Sequence, residues 1–376
     1  MKNIGIVSYN IRCNFTNYGS ALQSWALSQS IAKANNGENR PVLIDYCTKV
    51  HLDSDPLNPT KKMWDKDSES VRICKEKSNE IAENFYKFED FYTNKFNRTK
   101  KVYDHTNFDE IVKDENIDGF VCGSDTIFCI EEFGFDDGYY ANFDSMKNGY
   151  AISYAASFGD SKFNEETSET LNKLVRNFKA IGIREKGMVD YLRQQVDVPV
   201  EKVLDPTLLL KPNEYDVITK PRIEEKKYLL LYARRYNEKM NQFAKKLAKE
   251  NGWKIVEISL RATNDENTRA FYEAGVEEFL SLIKHAEFVV TNSFHGLIFS
   301  VQFKKPFVVF SREQANVKID ELLEFFGLKS QKLITGEENY NKNINYDEVH
   351  DRIEEGRIKS LNYLSRELKK IPKLEK

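Results

Sequence analysis

Short apolar runs alternate with helix-spaced amphipathic stretches along most of the chain, and this alternation limits the fold more than any other feature. The runs include "NIGIV" at 3–7, "PVLID" at 41–45, "GFVC" at 119–122, "AIGI" at 180–183, "YLLLYA" at 228–233 and "FVVT" at 288–291. They are apolar at nearly every position rather than at every second one, as expected of strands covered on both faces. Between them lie stretches such as "NYGSALQSWALSQSIAKAN", which sets Leu22, Trp25, Ala26 and Ile31 at helical spacing. "NEKMNQFAKKLAKENG" is a second such helix, with a glycine stop. Strand–helix–strand repeats of this kind build parallel sheets through right-handed crossovers.

A chain of 376 residues is long enough for two domains at about 150 residues each. The charged stretch Lys211 to Lys227 is the natural linker between two sets of repeats. The expected organisation is a doubly wound N-terminal domain at 1–215, a second at 225–345, and one amphipathic helix at 346–376. Residues from about 51 to 115 break the alternation; they are charged and aromatic, with a helix at "SNEIAENFYKFEDFYTNKF", and are expected to form a helical insertion.

With 56 basic against 59 acidic residues the net charge is −3, without the basic excess of a nucleic-acid binder. The start "MKNIGIVSYN" lacks the apolar core of a signal peptide, and no window approaches the ~18 apolar residues of a membrane span. Cys13, Cys47, Cys74, Cys122 and Cys129 are scattered, which suggests neither a disulfide framework nor a zinc site. A cytoplasmic protein without a bound metal is expected. Metalloprotease, hydrolase-elbow and phosphate-loop motifs are missing from the sequence.

In doubly wound sheets ligands bind beyond the carboxyl ends of the strands. The residues there are Asn17, Gly19 and Ser20; Gly123, Ser124 and Asp125; Ser157; Arg184; Arg234 and Arg235; and Asn292, Ser293, His295 and Gly296. "NYGSALQ" serves equally as an anion-binding helix start, where Gly19 lets a ligand approach, and as ordinary helix initiation. Asp125 fits either a base or a hydrogen-bond acceptor. Arg184 offers a planar fork to a carboxylate or phosphate, with a salt bridge to Glu185 or Glu201 as the alternative. Asp205, ahead of Pro206, is expected to cap a turn. His295, beside a glycine at the start of a helix, is placed to exchange a proton near neutral pH; a buried, backbone-satisfied imidazole is the alternative. His51, His105, His285 and His350 look like surface or packing residues.

The ordered set "NYGSALQ", "VCGSD", "SYAASFG", "GIRE", "VLDPTLLL" and "TNSFHG" resembles the polysaccharide pyruvyl transferase family over roughly residues 3–330. The resemblance implies an α/β fold of two Rossmann-like doubly wound domains in the glycosyltransferase-B arrangement. It also implies transfer of a pyruvyl group from phosphoenolpyruvate to sugar hydroxyls, as a ketal with release of phosphate and no cofactor. His295 and Asp125 then become the proton-transfer pair, and the other strand-end residues bind substrate. The acceptor would be a saccharide or a lipid-linked saccharide, with the protein near a membrane surface. Many members carry Arg-Leu-His-Gly where this chain has Ser293-Phe294-His295-Gly296, and Gly-Ser-Asp-Gln-x-Trp where it has Gly123 to Phe128. The missing arginine leaves one anion contact to Arg234 or Arg235, or points to a changed substrate. A nucleotide-sugar glycosyltransferase and a non-catalytic carbohydrate-binding relative are the competing expectations.

Overall fold

The computed structural model describes residues 1–9, 12, 16–62, 68–259, 268–311 and 316–374; Cys13 lies outside the described residues. The N-terminal half runs β1 (Lys2–Val7), α1 (Tyr18–Lys33), β2 (Asn39–Leu43), α2 (Ser68–Glu76), α3 (Ser78–Lys95), α4 (Ile111–Glu115), β3 (Gly119–Cys122), α5 (Ile130–Phe133), α6 (Asp144–Lys147), β4 (Ala151–Ala156), α7 (Glu165–Leu174), β5 (Ala180–Ile183), α8 (Lys186–Gln195) and β6 (Val200–Lys202). The C-terminal half runs β7 (Tyr228–Ala233), α9 (Glu238–Asn251), β8 (Lys254–Ser259), β9 (Thr268–Ala270), α10 (Val276–Lys284), β10 (Phe288–Thr291), α11 (Phe294–Gln302), β11 (Phe307–Phe310), α12 (Asn316–Phe326), β12 (Lys332–Leu333) and α13 (Tyr346–Lys370).

The first sheet has the order β2-β1-β3-β4-β5-β6 and the second β12-β11-β10-β7-β8-β9, with parallel neighbours throughout. The direction of winding reverses between β1 and β3 in one sheet and between β7 and β10 in the other. Loops part at such a reversal and leave a crevice at the strand ends.

Local chemistry sets the helix ends that matter. The Asn17 side chain accepts from the amides of Gly19 and Ser20 and starts α1. Ser293 does the same for Gly296 in α11, and Gly252 closes α9 in a left-handed conformation at φ 66°. Every residue of β10 and α11 is buried: β10 runs inside its sheet between β11 and β7, and α11 packs on that sheet and, across the junction, on α1.

One apolar cluster crosses the junction. Tyr18 of α1 stacks on Phe279 of α10 with ring centres 4.6 Å apart, and its hydroxyl donates to Ala274 O at 2.7 Å. The insertion also reaches across: Lys87 and Lys95 of α3 pair with Glu278 and Glu277 of α10 at 3.4 and 3.0 Å. Nor is the stretch from Lys211 to Lys227 an open tether. Pro212–Ile218 forms a turn of 3-10 helix that buries Tyr215 and Ile218. The last helix, α13, begins on the C-terminal domain, where His350 Nε2 contacts Val301 O at 3.0 Å. It ends on the N-terminal sheet, where the Tyr363 hydroxyl donates to Ser153 O at 2.9 Å. No helix among the described residues is long and apolar enough to cross a membrane.

Candidate active site

The strand ends of the two sheets meet around four side chains. Arg184, just past β5, donates from Nη1 to Asp205 Oδ2 at 2.6 Å and from Nη2 to Asp125 Oδ1 at 3.3 Å. Asp125 follows β3 with φ 71°, a left-handed backbone that aspartate tolerates better than most residues, and its Oδ2 accepts from Ser20 Oγ at 2.9 Å. Asp205 follows β6; its Oδ1 accepts from the Thr207 amide and hydroxyl at 2.9 and 2.6 Å. From the other domain, His295 places Nε2 3.7 Å from Asp205 Oδ2, an ion-pair distance too long for a hydrogen bond. Phe294 lies under the Arg184 guanidinium at 5.2 Å, and Lys318 of α12 sits over the same ring at 5.5 Å.

All four central groups are buried, so their charges act through little water. Burial pushes the Asp125 carboxyl up, but Lys318, Arg184, His295 and the Ser20 hydroxyl overcome it and hold the group well below the usual carboxylate range. Asp205 is opposed by the same desolvation and is brought down to about 2 by Arg184 and His295. Glu185, beside Arg184, goes the other way: burial raises it despite Arg184 and the Ser157 hydroxyl that donates to Oε1. Of the seven buried side-chain polar atoms without a hydrogen-bond partner among the described residues, three gather here: Arg184 Nε, Glu185 Oε2 and His295 Nε2. Buried polar groups are almost always satisfied, so such a set marks a place built to meet a ligand or water. Among the described residues no group of three or more His, Cys, Asp or Glu is arranged to hold a metal ion.

The structure thus brings Ser20, Asp125, Ser157, Arg184 and His295 to one place and gives other tasks to several expected binders. Ser124 is fully buried, donating to Ala155 O at 2.9 Å, while its amide donates to Gln23 Oε1 at 2.9 Å. Gly123 is a packing requirement, since a Cβ there would lie 2.0 Å from Tyr154 O. Asn292 spends its side chain on the β7 loop, accepting from the Arg234 amide and donating to Arg235 O, both at 2.8 Å. Asn17 and Ser293 are helix caps, and Gly296 packs against Thr291 and Tyr232. Gly19 leaves no opening for an anion: a Cβ there would meet His295 Nδ1 at 1.9 Å, so the imidazole fills that space. The Arg184 fork, expected to wait for a substrate or to pair with Glu185 or Glu201, is held by Asp125 and Asp205.

Two members of the cluster were not expected. Asp205 does cap its turn, as the Asp-Pro pair suggests, but a carboxylate has two oxygens and the second holds Arg184. Its position after β6 is the signal that places it with the other strand ends. Lys318 lies on an amphipathic helix far along the chain and carries no such signal.

The family model for polysaccharide pyruvyl transferase matches residues 17–314, a span that holds Asn17 through His295. The chain belongs to the polysaccharide pyruvyl transferase family. No curated protein matches it. Among solved structures, this pyruvyl transferase family member is similar to the UDP-GlcNAc 2-epimerase of Methanocaldococcus jannaschii. The TM-score there is 0.53 at 12% identity, over 94% of this chain and 92% of the epimerase. It is also similar to the Neisseria meningitidis UDP-GlcNAc 2-epimerase bound to UDP-GlcNAc, with a TM-score of 0.50 at 11% identity, over 99% and 95% of the two chains. Likeness at that level shows the fold: two Rossmann-like domains in the glycosyltransferase-B arrangement.

Proposed function

We propose that the protein moves a pyruvyl group from phosphoenolpyruvate to two hydroxyls of a saccharide, forming a pyruvate ketal. The observation that carries this reading is His295. It is a buried imidazole, delivered by one domain against Arg184 and Asp205 of the other, and its Nε2 has no hydrogen-bond partner. Phosphoenolpyruvate has two anionic groups and a methylene carbon that must gain a proton. Arg184 Nε and Lys318 are the cations at hand for the anions, and His295 is the acid for the methylene. Closure of the two domains about the Tyr18–Phe279 stack would exclude the water that otherwise captures the activated C2 carbon.

Asp125 suits a different role from the one its sequence position suggests. A carboxylate held that far down by neighbouring positive charge is a poor proton acceptor, so Asp125 orients Arg184 and Ser20 instead. The UDP-GlcNAc in the Neisseria epimerase belongs to that protein and gives no reason to prefer a nucleotide-sugar donor here.

Phosphate release from phosphoenolpyruvate, measured against a panel of saccharide and lipid-linked saccharide acceptors, tests the proposal. Run in heavy water, the product methyl should carry one deuterium from His295. No binding of phosphoenolpyruvate by calorimetry and no phosphate release across the panel would refute it.

A further inference from the structure

We propose that the reversal point of the first sheet, between the ends of β1 and β3, is the acceptor-saccharide subsite, with Glu132 receiving the proton of the attacking hydroxyl. This rests on the pyruvyl-transfer reading. Tyr9 follows β1, and Glu132 follows the turn after β3, so the two residues flank the crevice that the strand order opens. The Tyr9 hydroxyl donates to Glu132 Oε1 at 2.6 Å and Thr126 Oγ1 donates to Oε2 at 3.3 Å. Both oxygens are therefore oriented by neutral hydroxyls, whereas Asp125, one residue before Thr126, is bound by a guanidinium.

An aromatic wall stands next to this carboxylate. Tyr9 and His51, both half-buried, each meet the buried ring of Phe133 edge-on, with ring centres 5.2 and 5.7 Å away. Rings beside an oriented carboxylate are the chemistry that holds a pyranose: the C–H face packs on the rings and hydroxyls donate to the oxygens. The sheet order separates this end from the donor end. Arg184 and Asp205 follow β5 and β6, Tyr9 follows β1, and Asp125 lies between them.

The charged groups facing Glu132 are Asp125 from its own loop and Lys318 from α12. Burial raises the Glu132 carboxyl, Asp125 adds to the rise, and the Tyr9 hydroxyl and Lys318 oppose it. Asp125 is driven down. Neighbouring carboxyls pushed apart in this way take different parts in proton transfer. In the reaction the first hydroxyl oxygen bonds to C2 as its proton passes to Glu132, and C3 takes a proton from His295. Phosphate leaves with the C2–O electron pair, and the second hydroxyl closes the ketal. The two hydroxyl protons then account for the one returned to His295 and the one carried off by phosphate.

The test uses Glu132→Gln and Tyr9→Phe, with phosphoenolpyruvate and methyl hexopyranosides as probes. Saturation-transfer NMR reads pyranoside binding, calorimetry reads the donor, and phosphate release is followed against pH. Glu132→Gln should keep the melting temperature and donor affinity, lower kcat by about 10²-fold and abolish the acidic limb of the profile. Tyr9→Phe should keep that limb but move it to higher pH, because the hydroxyl that opposes the rise of the Glu132 carboxyl is gone. It should also raise the acceptor KM by about fivefold, as the carboxylate loses the hydrogen bond that orients it. Normal kcat and acceptor KM in Glu132→Gln would overturn the subsite while leaving pyruvyl transfer standing. Pyranoside signals lost in Glu132→Gln, in a protein that never releases phosphate, would uphold the subsite and defeat pyruvyl transfer. Donor affinity falling as far as turnover would assign Glu132 to the donor end and overturn the proposal.

Discussion

Asp205→Asn separates what the Asp205 charge does from what its shape does. Asparagine has the same volume and still accepts from the Thr207 amide, now made at 2.9 Å, but it cannot neutralise Arg184. The charge has a measurable worth. Asp205 is fully buried and its pKa lies at about 2 against an ordinary 3.8. At ~1.4 kcal/mol per unit, that gives about 2–3 kcal/mol of stability at neutral pH. Stripping one partner from a buried pair costs about 3–5 kcal/mol; the lower figure applies here because Asp125 still holds Arg184 at 3.3 Å. With an unfolding entropy of about 2.1 cal/mol/K per residue, Tm should fall by about 3–7 °C, the larger value if the N-terminal domain melts alone. Because the folded pKa is depressed, the stabilisation is complete above pH ~4 and disappears as pH falls toward 2. Melting curves of wild type and variant, followed by circular dichroism from pH 7 downward, should therefore converge in acid. An equal Tm at pH 7, or a gap that does not change with pH, would show that the carboxylate is not what holds Arg184.

His295→Ala should lower turnover by about 10²–10⁴-fold with little change in Tm. The two are measured on one preparation, and early melting with normal turnover per folded molecule would reduce His295 to a packing residue. Gly19→Ala puts a methyl 1.9 Å from His295 Nδ1, so it should displace the ring, cost about 1–3 kcal/mol and slow phosphate release; an unmoved His295 NMR signal would contradict that. Lys318→Met keeps the chain length and removes the charge, and phosphoenolpyruvate affinity in calorimetry should fall about tenfold; unchanged affinity would remove Lys318 from the donor end.

The architecture was legible because buried parallel strands have a local signature. "FVVT" and "AIGI" are strands as expected, and "NEKMNQFAKKLAKENG" ends at Gly252 as its glycine suggests. The rule that sites gather at strand ends singled out His295, Arg184 and Asp125, and the fold does bring these three side chains into one cluster. It did not say which strand-end groups face a ligand, because a side chain's partner depends on neighbours distant in sequence. Asn292 reaches 57 residues back to Arg235 O, and Ser124 reaches Ala155 O 31 residues on. Gly19 is small because an imidazole from the other domain needs the room, and nothing near position 19 encodes that. The insertion was expected as a charged, aromatic helical segment, and nothing in its own sequence says that Lys87 and Lys95 of α3 pair with Glu278 and Glu277 of α10.

The path of α13 has a consequence for synthesis. Its second half lies against strands made first: Lys2 Nζ donates to Leu368 O across 366 residues, and the Leu374 amide reaches Asp118. Gly119 and Gly182 have no side chains where Ile371 and Tyr363 press against the strands. As the chain leaves the ribosome, the first sheet must therefore wait, with this seam uncovered, until the whole second domain has been made. Chaperone capture in that interval, and aggregation when translation stalls before residue 346, follow from an exposed apolar seam.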